Sequence, residues 1–404
     1  SSRGLGDVDK RQELGYAPRT PPQRHSMVID DELRDLGGAT SLVVERLVGP
    51  VEGMHRAISG NAFRYVGPAG RPVQVVHDGM VGGVYKAIRG GAGLLGAAAG
   101  ALAASRLPEA SPVSGSRRGA GVQAALNGVW GDELDARGNE LAVALSIRRS
   151  GRMIPVDRAG LADAYREPSD HIVVLLHGLG QTERCWTGSE PGLLDQLAAS
   201  VGTPVLVRHT SGLPVERSGA ELAELHEALV ENGPVDEPRL SLVGYSMGGL
   251  VARSACVAAS AAGHEWMSHA GDLVTVGAPH HGSPIARAAR LGSRALGIAA
   301  TTRPLSRFID TASAGIKDLE DGVADPEGTA GIRQHFMAAV VTAEERHPVG
   351  VVAGDLIVRV ASAAGRMLGP SNVRVLGGRR HFSLLSDPEV ADQIVAWLED
   401  PGPR

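Results

Sequence analysis

The sequence LSLVGYSMGGLVARSA occupies residues 240–255 and contains the strongest structural pattern of the chain. A short apolar run typical of a buried strand leads into GYSMG at residues 244–248, and small and apolar residues typical of a helix follow. A serine on a strained strand-to-helix turn needs small neighbours, because the backbone there passes too close to other segments for side chains. Ser246 is therefore a candidate nucleophile. A plain strand-turn-helix connection is the alternative interpretation.

A second glycine-containing turn follows the apolar run HIVVLL at residues 171–176. Residues 177–180 read HGLG, which predicts a tight turn that aims a backbone N–H at a carbonyl oxygen. The N–H groups of Leu179 and Met247 would together form an oxyanion hole. Two such donors stabilise the negative charge that develops on oxygen during acyl transfer.

A third apolar run, GDLVTVGA at residues 271–278, leads into PHHGSP. The turns HGLG, GYSMGG and GAPHHGSP resemble those that occur in this order in the α/β-hydrolase superfamily, and within it in the bacterial lipase and esterase group. The resemblance covers roughly residues 141–399. It implies an α/β-hydrolase fold with a doubly wound, mostly parallel sheet. It also implies a serine esterase or lipase that uses a Ser-Asp-His triad and no cofactor.

Strand and helix patterns alternate through the same part of the chain. The predicted strands are 171–176, 203–208, 240–243, 271–278, 336–342 and 373–376, and the predicted helices are 193–199, 218–230 and 388–398. Such alternation favours a mostly parallel sheet with helices on both faces. Residues 140–147 and 152–156 are predicted to form a hairpin that begins the sheet.

His381 is assigned as the general base. A serine hydroxyl is a weak nucleophile at neutral pH, so it needs a base, and a histidine base needs a carboxylate that fixes its tautomer. In this fold the chain order is Ser, then Asp or Glu, then His. His381 is the last histidine and lies between the last predicted strand and the last predicted helix. A histidine in a solvated loop is the alternative. Four rival histidines after Ser246 are less well placed relative to strand ends: His264, His269, His335 and His347.

Asp355 is assigned as the acid of the triad, because Gly354-Asp355 and the valine-rich segment after it resemble a glycine-aspartate turn of the family. It lies well beyond the end of the predicted strand 336–342, so a loop must bring it back to the site. Glu344 and Glu345 are closer to that strand end and stay open as alternatives.

The first third of the chain lies outside the resemblance. Residues 1–26 have no apolar period and are expected to be disordered or a cloning remnant, and the absence of a signal-peptide pattern predicts a cytoplasmic location. Residues 27–118 are predicted to be mainly helical, and residues 119–404 to form the catalytic domain. The glycines at residues 90–104 favour close helix packing, with contact to a membrane surface or a second copy as the alternative.

An insert at about residues 283–322 interrupts the strand pattern. Apolar residues in it, including Phe308 and Ile309, recur at helical spacing. The family has a cap or lid at this point, so we expect Phe308 and Ile309 to contact the acyl part of the substrate. An ordinary helical crossover is an equally open alternative.

The composition excludes several classes of protein. The net charge is −5 with both signs interspersed, so the sequence has no basic face and does not predict nucleic-acid binding. Cys185 and Cys256 are the only cysteines, and buried free thiols are favoured over a disulfide between them. Adjacent histidines do not generally point at one ion, so His280 and His281 predict no metal site.

The predicted function is hydrolysis of a carboxylic ester, with a small acyl ester or a lipid as substrate. Two other functions stay open. An acyltransferase would discharge the same acyl-enzyme to an alcohol rather than to water. A non-catalytic protein of this fold would act through its N-terminal helices, although the set of Ser246, Asp355 and His381 argues against it.

Overall fold

The computed structural model describes residues 117–187, 192–283, 313–322, 329, 331–365 and 372–400, together with helical residues between 48 and 90. Residues 1–26, the linker before residue 117 and most of the insert, including Phe308 and Ile309, lie outside the described residues. The division into an N-terminal region and a catalytic domain stays a prediction.

Eight strands form one sheet in the described part of the chain. They are β1 (Ser146–Arg149), β2 (Arg152–Ile154), β3 (His171–Leu176), β4 (Thr203–Arg208), β5 (Arg239–Tyr245), β6 (Ala270–Val276), β7 (Arg333–Val340) and β8 (Asn372–Gly377). Their order across the sheet is β2-β1-β4-β3-β5-β6-β7-β8. Strands β3 to β8 run parallel, and β1 pairs antiparallel with β2 and β4. The predicted mostly parallel, doubly wound sheet is confirmed.

The helices of this region connect the strands and cover the sheet. They are α1 (Arg117–Ala136), α2 (Arg158–Ala164), α3 (Leu193–Gln196), α4 (Val215–Asn232), α5 (Met247–Ala262), α6 (Ala314–Asp321), α7 (Pro348–Ala353), α8 (Val360–Ala363) and α9 (Pro388–Glu399). Short 3₁₀ helices span Glu183–Trp186, Glu265–His269 and His381–Ser386, and a π-helical turn, Leu197–Val201, extends α3. No helix among the described residues is long and apolar enough to cross a membrane.

The central strands are buried on both faces, which explains their continuous apolar sequences. Every residue of β3 is buried. Val174 and Leu176 pack with α4 and α5 on one face, whereas Val173 and Leu175 pack with α3 and α9 on the other. A side chain in a strand points to the face opposite its neighbours, so both faces need apolar residues here.

The predicted hairpin is present, but its first strand is shorter than predicted. Residues 140–147 were expected to be extended, whereas β1 begins at Ser146. The Asn127 side chain accepts from the N–H of Val143 at 2.9 Å and donates to the carbonyl of Leu141 at 2.7 Å. Because these bonds attach the segment to α1, its backbone groups are not free to pair with a strand.

Helices α1 and α6 lie together over the carboxyl ends of the strands. The Ser313 hydroxyl, just before α6, donates to the carbonyl of Gly128 at 2.7 Å, and the Ala314 N–H donates to Asp132 at 3.0 Å. Gly315 allows a close approach, since a Cβ there would lie 2.8 Å from the terminal methyl of Met247. The two helices therefore contact the turns that follow the central strands.

Candidate active site

Ser246 lies on a strained turn between β5 and α5. Its φ and ψ are 53° and −122°, a conformation that non-glycine residues adopt at a cost of about 1 to 3 kcal/mol and that clusters at functional sites. Its N–H donates to the carbonyl of Val276 at 2.8 Å. A Cβ on Gly248 would lie 2.6 Å from the carbonyl oxygens of Leu176 and His177, and one on Gly244 would lie 2.4 Å from the Cα of Gly249. The glycines of the motif are therefore required by close approach of the backbone.

His381 follows β8 and contacts the serine. Its Nε2 lies 2.9 Å from Oγ of Ser246, and its Nδ1 lies 2.7 Å from Oδ2 of Asp355. The Nδ1–H donates to the carboxylate, so Nε2 carries the lone pair that faces the serine hydroxyl. The His381 N–H donates to the carbonyl oxygen of Asp355 at 3.1 Å. This arrangement allows His381 to accept the serine proton.

Asp355 reaches the site through a tight turn in the loop after β7. Its Oδ1 accepts from the N–H groups of Ile357 at 2.9 Å and Val358 at 2.8 Å, which leaves Oδ2 for His381. The carbonyl of Gly354 accepts from the N–H of Val341 at 3.0 Å, so the loop returns to the end of β7. Asp355 is almost fully buried.

The alternative acids do not occupy this position. Glu344 and Glu345 are both exposed on the surface of the loop. The carboxylate that contacts His381 is that of Asp355. The structure therefore brings together the three residues assigned from the sequence, Ser246, Asp355 and His381.

The backbone N–H groups in the turn after β3 differ in their hydrogen-bond partners. The Gly178 N–H donates to Oε1 of Gln181 at 3.2 Å, and the Gly180 N–H donates to Oγ of Ser211 at 2.9 Å. The Leu179 N–H, between them, has no acceptor among the described residues. Met247 is the first residue of α5, so its N–H has no partner within the helix. The roles of Leu179 and Met247 as oxyanion donors stay a prediction from the sequence.

Tyr245 is a further residue of the site. Its hydroxyl donates to the carbonyl of His381 at 3.1 Å, and the two rings lie 5.1 Å apart between centroids. Burial, together with the nearby charge of Asp355, raises the pKa of Tyr245 above its ordinary value, so the hydroxyl stays protonated and remains a donor. Tyr245 therefore fixes the backbone of the histidine.

Other chemistries find less support in the described residues. These residues contain no group of three or more His, Cys, Asp or Glu side chains arranged to hold a metal ion. Cys185 and Cys256 are free thiols rather than a disulfide. Burial raises the pKa of Cys256 to about 12, and it raises that of Cys185 as well, so both thiols are protonated and unreactive at neutral pH.

The comparison with protein families agrees with this geometry. The profile of the Alpha/beta hydrolase family matches residues 173–393, more than half of the chain. The protein belongs to this family. No curated protein sequence matches the chain.

Several solved structures are similar to this alpha/beta hydrolase. Bacillus licheniformis lipase BlEst2 in its mature form is 18% identical, with 57% of this chain and 93% of that chain covered and a TM-score of 0.42. Carboxylesterase CesB (YbfK) from Bacillus subtilis is 14% identical, with coverages of 58% and 85% and a TM-score of 0.36. The RedJ thioesterase from Streptomyces coelicolor is 18% identical, with coverages of 58% and 92% and a TM-score of 0.36. At these values the likeness carries no argument about substrate.

Sequence reasoning missed several residues of this alpha/beta hydrolase site. Tyr245 lies within the GYSMG pattern, and Gln181 directly follows HGLG, so their positions next to the motifs were the available signal. Ser211 follows the end of β4, where the carboxyl end of a parallel strand meets the site. None of the three has a spacing pattern of its own, because each acts through one contact with a distant segment.

Proposed function

We propose that the protein is a serine hydrolase of carboxylic esters. Ser246 is the nucleophile, His381 the general base and acid, and Asp355 the residue that orients His381. The N–H groups of Leu179 and Met247 form the oxyanion hole. The observation that carries the proposal is the chain of two hydrogen bonds from Asp355 through His381 to Ser246, at 2.7 and 2.9 Å.

The first half of the reaction forms an acyl-enzyme. Oγ of Ser246 attacks the ester carbonyl carbon while its proton passes to Nε2 of His381, and the carbonyl π electrons move onto oxygen. The two N–H donors hold this oxyanion. The C–O bond to the alcohol then breaks, and His381 delivers the proton to the leaving oxygen, which gives the free alcohol and an acyl group on the serine.

The second half repeats these steps with water. His381 removes a proton from water as the oxygen attacks the acyl carbon, and a second tetrahedral intermediate forms in the same oxyanion hole. The bond to Oγ breaks, and the proton on His381 returns to the serine. The carboxylic acid leaves, and the enzyme is restored without a cofactor.

Two exposed apolar side chains support an apolar ester as substrate. Leu356 and Phe382 directly follow Asp355 and His381 in the sequence, and their side chains are 52% and 70% exposed. Leu356 also has a φ of 80°, a left-handed conformation that is costly for leucine. A strained, exposed leucine beside the triad favours a contact with apolar substrate. The same role for Phe308 and Ile309 stays a prediction from the sequence.

The test combines hydrolysis with covalent labelling. We expect the purified protein to hydrolyse p-nitrophenyl esters and to bind one fluorophosphonate molecule at Ser246, which peptide mass spectrometry locates. Ser246→Ala should abolish both and leave the circular dichroism spectrum unchanged, because it removes only a hydroxyl. A wild-type protein that neither turns over esters nor takes the label would contradict the proposal and favour a binding function.

A further inference from the structure

The turn that carries the predicted oxyanion donor is held by one neighbouring segment. The last residue of β4 and the three residues after it, residues 208–211, are called the anchoring segment here. They contact the turn at residues 177–183 at three points. The contacts come from Arg208, His209 and Ser211. All three residues are buried.

His209 holds the start of the turn. Its Nε2–H donates to the carbonyl of His177 at 3.0 Å, and its backbone N–H donates to Nε2 of the His177 ring at 3.2 Å. The two rings stack with centroids 4.3 Å apart and an interplanar angle of 14°. Because His177 Nε2 accepts, its Nδ1 carries the proton and donates to the carbonyl of Gly178 at 2.9 Å. Both imidazoles are therefore neutral, and burial lowers the pKa of each.

Ser211 and Arg208 hold the rest of the turn. Oγ of Ser211 accepts from the N–H of Gly180 at 2.9 Å, immediately after Leu179. Arg208 makes two bonds of 2.6 and 2.7 Å to the carboxylate of Glu183, and both side chains are buried. A paired guanidinium and carboxylate in this geometry restricts the orientation of both groups. The peptide unit after Leu179 is thus bonded directly to the anchoring segment, and the Gly178 carbonyl in the unit before Leu179 is bonded to the His177 ring, which His209 holds.

We propose that the anchoring segment sets the oxyanion hole, with His209 and Ser211 as positioning residues. Neither residue touches the reacting atoms. They fix the carbonyl of His177 and the N–H of Gly180, so the Leu179 N–H between them keeps its direction toward the oxygen of the ester carbonyl whose carbon Ser246 attacks. Displacement of a catalytic group by about 1 Å can cost about a hundredfold in rate. The inference rests on the proposed esterase function.

The experiment measures ester hydrolysis and inhibition by a boronic acid at pH 8. A boronic acid forms a tetrahedral adduct on the serine, so its affinity reports the oxyanion hole, whereas KM reports mainly the ground state. His209→Leu removes the donor to His177, and Ser211→Ala removes the acceptor for Gly180. His209→Gln restores a donor, because the glutamine amide nitrogen lies the same number of bonds from Cβ as Nε2. His226→Leu is the matched control, since His226 is a buried histidine that contacts Trp266.

For His209→Leu and Ser211→Ala, we expect kcat/KM to fall by about 10- to 100-fold with KM within about twofold. Boronic acid affinity should fall by a similar factor. His209→Gln should recover most of both losses, and His226→Leu should change neither. Thermal unfolding of each variant identifies losses that come only from an unfolded fraction.

Three results would overturn the inference. The first is that His209→Leu and Ser211→Ala fold and both keep kcat/KM and boronic acid affinity within twofold of wild type. A loss that appears equally in His226→Leu, or that only tracks the unfolded fraction, assigns the segment a structural role alone. If wild type shows no hydrolysis and no phosphonate label, the proposed function fails, and the positioning role fails with it. If wild type is active and the variants are unaffected, only the positioning role is overturned.

Discussion

At the scale of single residues, the Asp355 carboxylate has a separate task for each oxygen. Oδ1 closes the turn by accepting from Ile357 and Val358, while Oδ2 accepts from His381. The residue therefore links the shape of its own loop to the tautomer of the base. A substitution that preserves the first task and removes the second isolates the catalytic contribution.

Asp355→Asn is such a substitution. The amide oxygen can still accept from the turn, but the amide nitrogen donates and no longer stabilises a proton on Nδ1 of His381. We expect kcat to fall by about a thousandfold or more, with the thermal unfolding temperature nearly unchanged. Steady-state kinetics on a p-nitrophenyl ester check the result. Glu344→Gln and Glu345→Gln serve as controls and should keep full activity. An inactive Glu344→Gln beside an active Asp355→Asn would move the acid to that glutamate.

At the scale of elements, the loop between β7 and β8 combines the acid with a strained backbone. Gly354 has a φ of 61°, and a Cβ there would lie 1.8 Å from the carbonyl of Val358, so only glycine fits. Leu356, two residues later, also has a positive φ, of 80°, although it carries a side chain. A leucine in this conformation costs stability, and such strain is found where a loop serves a ligand.

Leu356→Asn tests whether the strained leucine contacts the substrate. Asparagine tolerates the left-handed region, so relief of strain should offset the loss of apolar contact and keep the free energy of unfolding within about 1 kcal/mol. We expect kcat/KM to fall more for long acyl esters than for acetate. Met153→Asn, at an apolar residue of similar exposure on β2, is the control and should leave the profile unchanged. A uniform decrease on every chain length would assign Leu356 to the fold alone.

At the scale of the whole molecule, buried histidines make stability depend on pH. Burial lowers the pKa of His226 to about 3 and that of His171 to about 4, and it also lowers the pKa values of His177, His209 and His280. A histidine with a lowered folded-state pKa binds fewer protons in the folded than in the unfolded protein. The folded state is therefore favoured fully above the ordinary value of 6.5 and loses stability as the pH falls below it.

His226→Leu isolates one of these contributions. Both ring nitrogens of His226 lack a partner in the described structure, so the side chain is held neutral by burial alone. Between pH 6 and 4, we expect the free energy of unfolding of wild type to fall more steeply than that of His226→Leu, by about 1.4 kcal/mol per pH unit. Urea unfolding at several pH values measures the two slopes. Equal slopes would show that His226 is protonated in the folded protein.

Local patterns in the sequence were sufficient for the sheet and for the position of the nucleophile. The strands around Leu176 and Val243 are continuous apolar runs because both faces of the sheet are covered, and the glycines around Ser246 reflect close backbone approach. Each of these signals comes from residues adjacent in the chain. Periodicity and turn chemistry report such neighbours directly. The strand at residues 203–208 and the helix at residues 388–399 were therefore predicted within one residue of their bounds.

Only the tertiary structure decided which distant groups meet. The choice of Asp355 over Glu344 or Glu345 depends on a turn that returns the loop to β7, and the contacts of His209 and Ser211 with residues 177–180 join segments about thirty residues apart. The left-handed backbone conformation and the exposure of Leu356 likewise cannot be predicted from composition or from residue spacing. Hydrogen-bond partners across a fold depend on how helices and strands pack, and packing depends on the whole chain rather than on any window of it. The sequence by itself therefore indicated the mostly parallel sheet, the candidate serine and the assignment of His381 and Asp355, whereas packing determined which groups contact these residues.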